Sequence, residues 1–159
     1  MTGLDATGEI RILAPNGVLG SGFQEISFEA GLTRQPHFIG VDAGSTDGGP
    51  ASLGSGKTGF ARKAIKRDMR IALLGARRLG IPFLIGSCGT AGGDPHLAIF
   101  VEIIREIAEE EGLSFNLAAV HAEPDRGYLI EKFRAGKIRP LSPAPHLDEA
   151  GIGKTTRTV

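Results

Sequence analysis

The stretch "IPFLIGSCGTAGGDPHLAIFVEIIREIAEEEG", residues 81–112, decides how the rest of the chain is read. It opens on a short apolar run, 81–87, that stops at a glycine-rich segment. Such a run predicts a strand covered on both faces. It closes on Leu97, Phe100, Val101, Ile104, Ile107 and Ala108, which recur at the i, i+3, i+4, i+7 spacing of an amphipathic helix. Asp94 is placed to cap that helix, Pro95 suits its first turn, and Gly112 suits its stop. A buried strand that leaves through a glycine loop into a helix is half of a βαβ unit.

The same alternation appears on either side. "IRILA" (10–14), "HFIGVDA" (37–43) and "FNLAAVHA" (115–122) are further strand-like runs, and 23–34, 60–80 and 124–137 carry helical spacing. In 23–34 the expected inward residues are Phe23, Ile26 and Ala30, with Phe28 as a further candidate. In 60–80 they are Phe60, Ala64, Ile65, Met69, Ala72, Leu73 and Ala76. The other faces of 60–80 carry seven basic residues and one acid, Asp68. Strands alternating with helices predict an α/β fold. The expectation is a Rossmann-like open parallel sheet of about four strands with flanking helices over 1–140, followed by an extended tail or linker over 141–159. Four strands are fewer than a doubly wound sheet usually has, so the domain is expected to be the N-terminal part of a larger protein.

Charge and cysteine content narrow the function classes. Eighteen basic residues balance eighteen acidic ones, so no overall field favours nucleic acid or a membrane surface. No apolar run approaches the ~18 residues of a membrane span, and the first residues lack the features of a signal peptide. One cysteine gives no disulfide framework, and no His, Cys or acid spacing matches a metal site. The expectation is a cytoplasmic protein with a small-molecule partner, and a homo-oligomer or companion domain is kept open. No cofactor is specified.

Glycine marks where the ligand is expected. Of 24 glycines, fourteen fall in the windows 17–22, 40–59 and 86–93, so they mark particular loops rather than a linker. The second window holds "ASLGSGKTG" (51–59), which ends like a phosphate-binding P-loop. That motif requires a glycine at 51, where Ala51 stands, and a strand ending just before it, whereas the nearest ends near Ala43. A nucleotide-hydrolysing P-loop is therefore disfavoured. The favoured reading is an anion-binding loop, in which Gly44, Ser45, Thr46, Gly56, Lys57 and Thr58 offer N–H groups, hydroxyls and a cation to a phosphate or carboxylate. The plainer alternative is a glycine-rich turn with a solvated Lys57. The basic stripe of 60–80 is read as an ordinary wet face, with docking on an acidic partner surface as the alternative. "GVDAGST" is similar to the phosphate loop of sugar-kinase-like ATPases, but a helix follows it where those have a hairpin strand. The first window is a damaged G-x-G-x-x-G, with Gly20 and Gly22 in place, Gly17 nearby, and Glu25 where the third glycine belongs.

In a doubly wound sheet, ligands sit outside the carboxyl ends of the strands, and all of these loops fall there. Asp42 and Asp47 are the candidate acids or bases, His96 the candidate proton shuttle, and Cys88 the candidate nucleophile. Gly89, Thr90 and Asp94 join the ligand-binding candidates, while Asp94, Glu123 and Asp125 are further candidate acids or bases and His121 a further candidate proton shuttle. Each has a plainer role: Asp94 as a cap, His121 as a structural residue, Cys88 as a small apolar side chain.

The segment "MRIALLGARRLGIPFLIGSCGTAGGDPHLAIFVEIIREIAEEEGLSFNLAAVHAE" (69–123) resembles the N-terminal region of the acyclic terpene utilisation family (AtuA type). The likeness lies in the order of a long helix, "GI" with an apolar strand, a glycine loop, a helix ending in "EGL", and another strand. It extends over roughly residues 9–140. The resemblance implies a catabolic enzyme or subunit that handles branched acyclic compounds as acyl-CoA intermediates, with further sequence beyond this region. It carries over no catalytic residue. With Lys57 holding the anionic group and Asp42 or Asp47 moving a proton, a lyase, hydratase or isomerase reaction is expected. Two other readings stand beside it: a nucleotide-binding protein with a degenerate P-loop, and a non-catalytic domain that docks through its basic helix.

Overall fold

The computed structural model describes residues 8–45, 48–140, 143 and 146–159. Three strands, β1 (Ile12–Leu13), β2 (Phe38–Gly44) and β3 (Phe83–Thr90), form an open parallel sheet in the order β1-β2-β3. The helices are α1 (Glu25–Leu32), α2 (Gly49–Ser55), α3 (Arg62–Leu79), α4 (Asp94–Glu110), α5 (Arg126–Arg134) and α6 (Glu149–Lys154). None is long and apolar enough to cross a membrane among the described residues.

The pleat sorts each strand into two faces. Ile39, Val41 and Ala43 of β2 and Phe83 and Ile85 of β3 point into the core. There they meet Phe28 and Leu32 of α1, Met69 and Leu73 of α3, and Phe100, Ile103 and Ile107 of α4. The opposite face carries Ile12, Phe38, Gly40, Asp42 and Leu84, and no helix covers it among the described residues. Leu84 is 54% exposed. A doubly wound sheet has helices on both faces, whereas the described helices here pack on one face of a small open three-stranded sheet.

α3 and α4 form where the periodicity places them. α3 buries Ile65, Met69, Ala72, Leu73 and Ala76 and ends on Gly80 in the left-handed conformation. In α4 the N-cap is Gly93, with Asp94 the first helical residue, and Ile103 lies at the bottom of the core while Ile104 is only half buried. Of the residues expected inward in 23–34, Phe23 and Phe28 pack on the core, whereas Ile26 and Ala30 are exposed. Phe28 and Leu32 are buried, and Ile26 is 80% exposed. The seat is Gly75 of α3, where a Cβ would lie 2.7 Å from the Phe28 ring. α1 therefore packs on the one position of α3 that has no side chain.

Two helices arise where no periodicity predicts them. α2 opens on Pro50 in its first turn and closes on Gly56 at φ 70°. α6 lies within the region read as an extended tail. It is capped by Asp148, which accepts from the Gly151 N–H, and it is tied to α5 by Arg134–Glu149. The expected fourth strand, 115–122, pairs with no strand of the sheet. Its apolar, β-branched composition expresses a preference, but a strand also requires a ladder partner.

The basic face of α3 is zipped to α4. Arg62 pairs with Glu106, Lys66 with Glu106 and Glu110, and Arg70 with Glu110 and Glu111. Hydrogen bonds from Arg62 and Lys66 hold the Glu106 carboxyl down to a pKa of about 2. The acids that meet Arg62, Lys66 and Arg70 thus lie in the same chain, where a wet face or an acidic partner surface was expected.

Candidate functional site

The carboxyl end of β3 is distorted. Asp42 pairs with Gly86, but Gly44 pairs with Thr90, so β3 carries extra residues against β2. Ser87, Gly89 and Thr90 take φ values of 46°, 64° and 88°. Positive φ in a β-branched residue is strained by about 1–3 kcal/mol and persists only where its surroundings enforce it. Those of Thr90 do so. Its Oγ1 accepts the Gly59 N–H at 2.8 Å, and its carbonyl accepts the Ser45 N–H at 3.1 Å. Thr90 thus pins both limbs of the long loop, 45–59, to the end of β3.

The Gly-Ser-Gly-Lys-Thr run lies inside that loop with a polarity opposite to a P-loop. In a P-loop the motif opens a helix and its amides face the phosphate. Here Ser55 ends α2, and the Gly56 N–H closes that helix onto the Ser52 carbonyl. A helix C-terminus presents carbonyls and partial negative charge, and α3 begins only at Arg62. Lys57 has its backbone held on both sides: its N–H donates to Ser55 Oγ at 3.3 Å, and its carbonyl meets His96 Nε2 at 3.2 Å. Its side chain is exposed, and its ammonium enters no ion pair among the described residues. Thr58 turns its hydroxyl onto the Phe60 carbonyl.

His96 is fully buried in the first turn of α4, beneath this loop. A carbonyl only accepts, so Nε2 carries the proton toward Lys57. Nδ1 is buried with no partner. Gly89 is required beside it, because a Cβ there would lie 2.8 Å from the His96 Cβ. The Asp94 amide at the start of α4 is taken by Glu123 at 2.8 Å, which also meets Arg157 at 3.3 Å. The Asp94 carboxylate meets His121 at 2.9 Å. α4 therefore opens on a carboxylate of its own chain.

The first glycine loop is filled in the same way. Asp68, buried on α3, accepts the Gly20 N–H at 2.9 Å and the Gly22 N–H at 2.8 Å through Oδ2, while Arg67 meets its Oδ1. The amides that would face a dinucleotide phosphate hold a side-chain carboxylate instead. Gly17 has open space around it. One signal for this existed in the sequence: Asp68 is the single acid on a basic helix, next to the inward position Met69.

Asp42 stands apart from Lys57 and His96. It is exposed at the end of β2 on the helix-free face, where its Oδ1 accepts the Gly44 N–H, and Ser87 packs against Gly44. Cys88 turns the other way and packs against the core. Burial pushes its thiol pKa up, which disfavours the thiolate a nucleophile needs. Thr46 and Asp47 lie outside the described residues. Of the expected site residues, the fold thus gathers Gly56, Lys57, Thr58, Gly89, Thr90 and His96 into one cluster with Ser45 tied to it. It leaves Asp42 and Gly44 across the strand end, and Gly20 and Gly22 on a loop already satisfied. Glu123, named among the strand-end acids, joins the neighbourhood through the Asp94 amide, and Arg157 enters it without a sequence motif to announce it. Comparison with protein-family models, with curated proteins and with solved structures gives no match for this chain.

Proposed function

We propose that this protein binds a small anionic molecule, an acyl-CoA or a short carboxylate, at the rim formed by Lys57, Gly89 and Thr90. It would do so as the N-terminal region of a catabolic protein of the acyclic terpene utilisation type. The observation that supports this most is the state of Lys57. Its peptide unit is fixed by Ser55 and His96, while its ammonium is exposed and has no ion-pair partner among the described residues. A cation on a held backbone, beside strained residues at a strand end, is a pre-organised partner for a carboxylate or phosphate. The buried, unpartnered Nδ1 of His96 is the nearby lone pair for a proton, and Asp42 is the exposed carboxylate at the neighbouring strand end. The reading takes the sheet as Rossmann-like, extended beyond the β3 edge by the strand-like run 115–122. A P-loop nucleotide site is supported less, since Gly-Ser-Gly-Lys-Thr closes a helix. Docking through the basic helix is supported less as well, since Arg62, Lys66 and Arg70 are already paired.

A thermal-shift series tests the proposal, with free CoA, branched acyl-CoAs, inorganic phosphate, short dicarboxylates and ATP with magnesium as probes. A ligand at a hundredfold excess over its Kd adds about 2.7 kcal/mol to the folded state. The expected result is a rise in Tm with acyl-CoA or a carboxylate, and at least a tenfold loss of that affinity in Lys57→Ala. A response confined to ATP, or an acyl-CoA affinity unchanged in Lys57→Ala, overturns it.

A further inference from the structure

The outer edge of β3 is open, and the nearest chain beyond it is 114–122. Residues 114–118 face 80–85 across one cavity, and 117–122 face 83–92 across the next, so the segment runs beside β3 in the same direction. The cavities share Phe83, Leu84, Ile85, Ile104, Leu117 and Ala118 and so form one groove. Their volumes are about 440 Å³ toward the end of β3 and about 700 Å³ toward its start. The floor is α4, through Phe100, Val101 and Ile104, and no charged side chain lines the part toward the end of β3.

Both walls have spare backbone capacity. β3 is an edge strand, and among the described residues 114–122 enters no backbone hydrogen bond. The segment exposes its apolar side chains as well, with Leu117 at 43% and Val120 at 81%. An acyl chain in this groove would cover both walls and leave their N–H and carbonyl groups dry and unpaired, which is costly. An extended strand would pair with both at once.

We propose that the occupant is a second copy of this chain, each copy inserting its residues 115–122 into the other's groove. The order across the interface is then β3, the partner's segment, the chain's own segment, and the partner's β3. This order is the same read from either side, as a two-fold axis requires. Each copy's inserted strand has β3 of its host on one side and the host's segment on the other, so no edge remains unpaired at the centre. The segment runs parallel to its own β3, and a two-fold axis normal to the sheet reverses direction, so the inserted strand is antiparallel to its host β3. That is the more stable pairing. Of the inserted residues, Phe115 to Val120 carry no charge, in keeping with the lining near the end of β3, and His121 is held at the end of the segment by Asp94.

Light scattering over a dilution series reads the mass directly. The expected result is a dimer for the unaltered protein and a monomer for Leu117→Lys and Val120→Lys, with melting curves showing that both variants remain folded. Val120 is too exposed within one copy for its replacement to unfold it. In a Cys88→Ala background, Ala118→Cys or Ala119→Cys, close to the axis, should give an intermolecular disulfide on mild oxidation, whereas Glu131→Cys on α5 should not. A monomer at every concentration overturns the proposal. So does a dimer that survives both lysines and yields no cross-link at 118 or 119.

Discussion

Two glycine-rich loops leave the same edge of this sheet and end in opposite states. The loop after β1 offers the amides of Gly20 and Gly22, and the chain satisfies them with Asp68. The long loop after β2 is tied down at its backbone by Thr90 and His96 and leaves the Lys57 ammonium without an ion pair among the described residues. Glycine supplies the shape in both. The difference is whether a carboxylate from a neighbouring element reaches the donors first. Donors that are already satisfied make a structural joint, and an unpaired cation on a fixed frame makes a candidate binding site.

The largest effect should come from opening the joint. Asp68→Ala removes a buried carboxylate that holds two amides and meets Arg67. Breaking a charged network of this kind costs about 3 kcal/mol, which at ~2–4 °C per kcal/mol for a chain of this size lowers Tm by roughly 6–12 °C. The vacated amides should then bind an anion, so added phosphate should restore more Tm in Asp68→Ala than in the unaltered protein. Equal phosphate responses would show that Asp68 stands in for no anion. A smaller effect is expected at the second loop. Thr90→Ala removes the acceptor of the Gly59 N–H, worth about 1 kcal/mol. Its signature is local: hydrogen exchange should accelerate at the Gly59 amide before the core amides change. Uniform acceleration across the sheet would mean that Thr90 serves the core rather than the loop.

The sequence makes one side of this comparison easier to read than the other. β2, β3, α3 and α4 are legible because period, caps and apolar runs agree there. In α1, Ile26 and Ala30 are expected inward with Phe28 a further candidate, and it is Phe28 with Leu32 that is buried, because the orientation is set by the gap at Gly75 on another element. α2 and α6 are short, and their ends are held by single local contacts that leave no periodic trace. Residues 115–122 look like a strand because strand propensity is local, while pairing depends on what lies alongside. The site follows the same rule. Glycine windows show where the backbone is free to approach a ligand. Whether Gly20, Gly22 or the Asp94 amide remains free to bind depends on Asp68 and Glu123, which are distant in sequence.

The smallest effect concerns the cations of α3, which share the state of the first loop because acids of the same chain meet them. Glu106 ionises at about 2 in the folded protein against 4.5 for an unperturbed glutamate, chiefly through its hydrogen bonds to Arg62 and Lys66. A depressed carboxyl pKa stabilises the fold above the unfolded value and loses that contribution as pH falls through the folded one. The contribution of Glu106 is therefore fully present at neutral pH and fades between about 4.5 and about 2. Glu106→Gln removes it at every pH. Melting temperatures of the two proteins should differ modestly at pH 7 and converge as the pH is lowered through that window, and the gap at pH 7 should shrink in high salt, as expected for an exposed pair. Asp68 provides the contrast, being buried beneath the first loop and shielded from salt. A gap at Glu106 that ignored salt and pH would make the α3–α4 seam a packed joint like the one at Asp68, and the stripe would then owe its stability to contact rather than to charge.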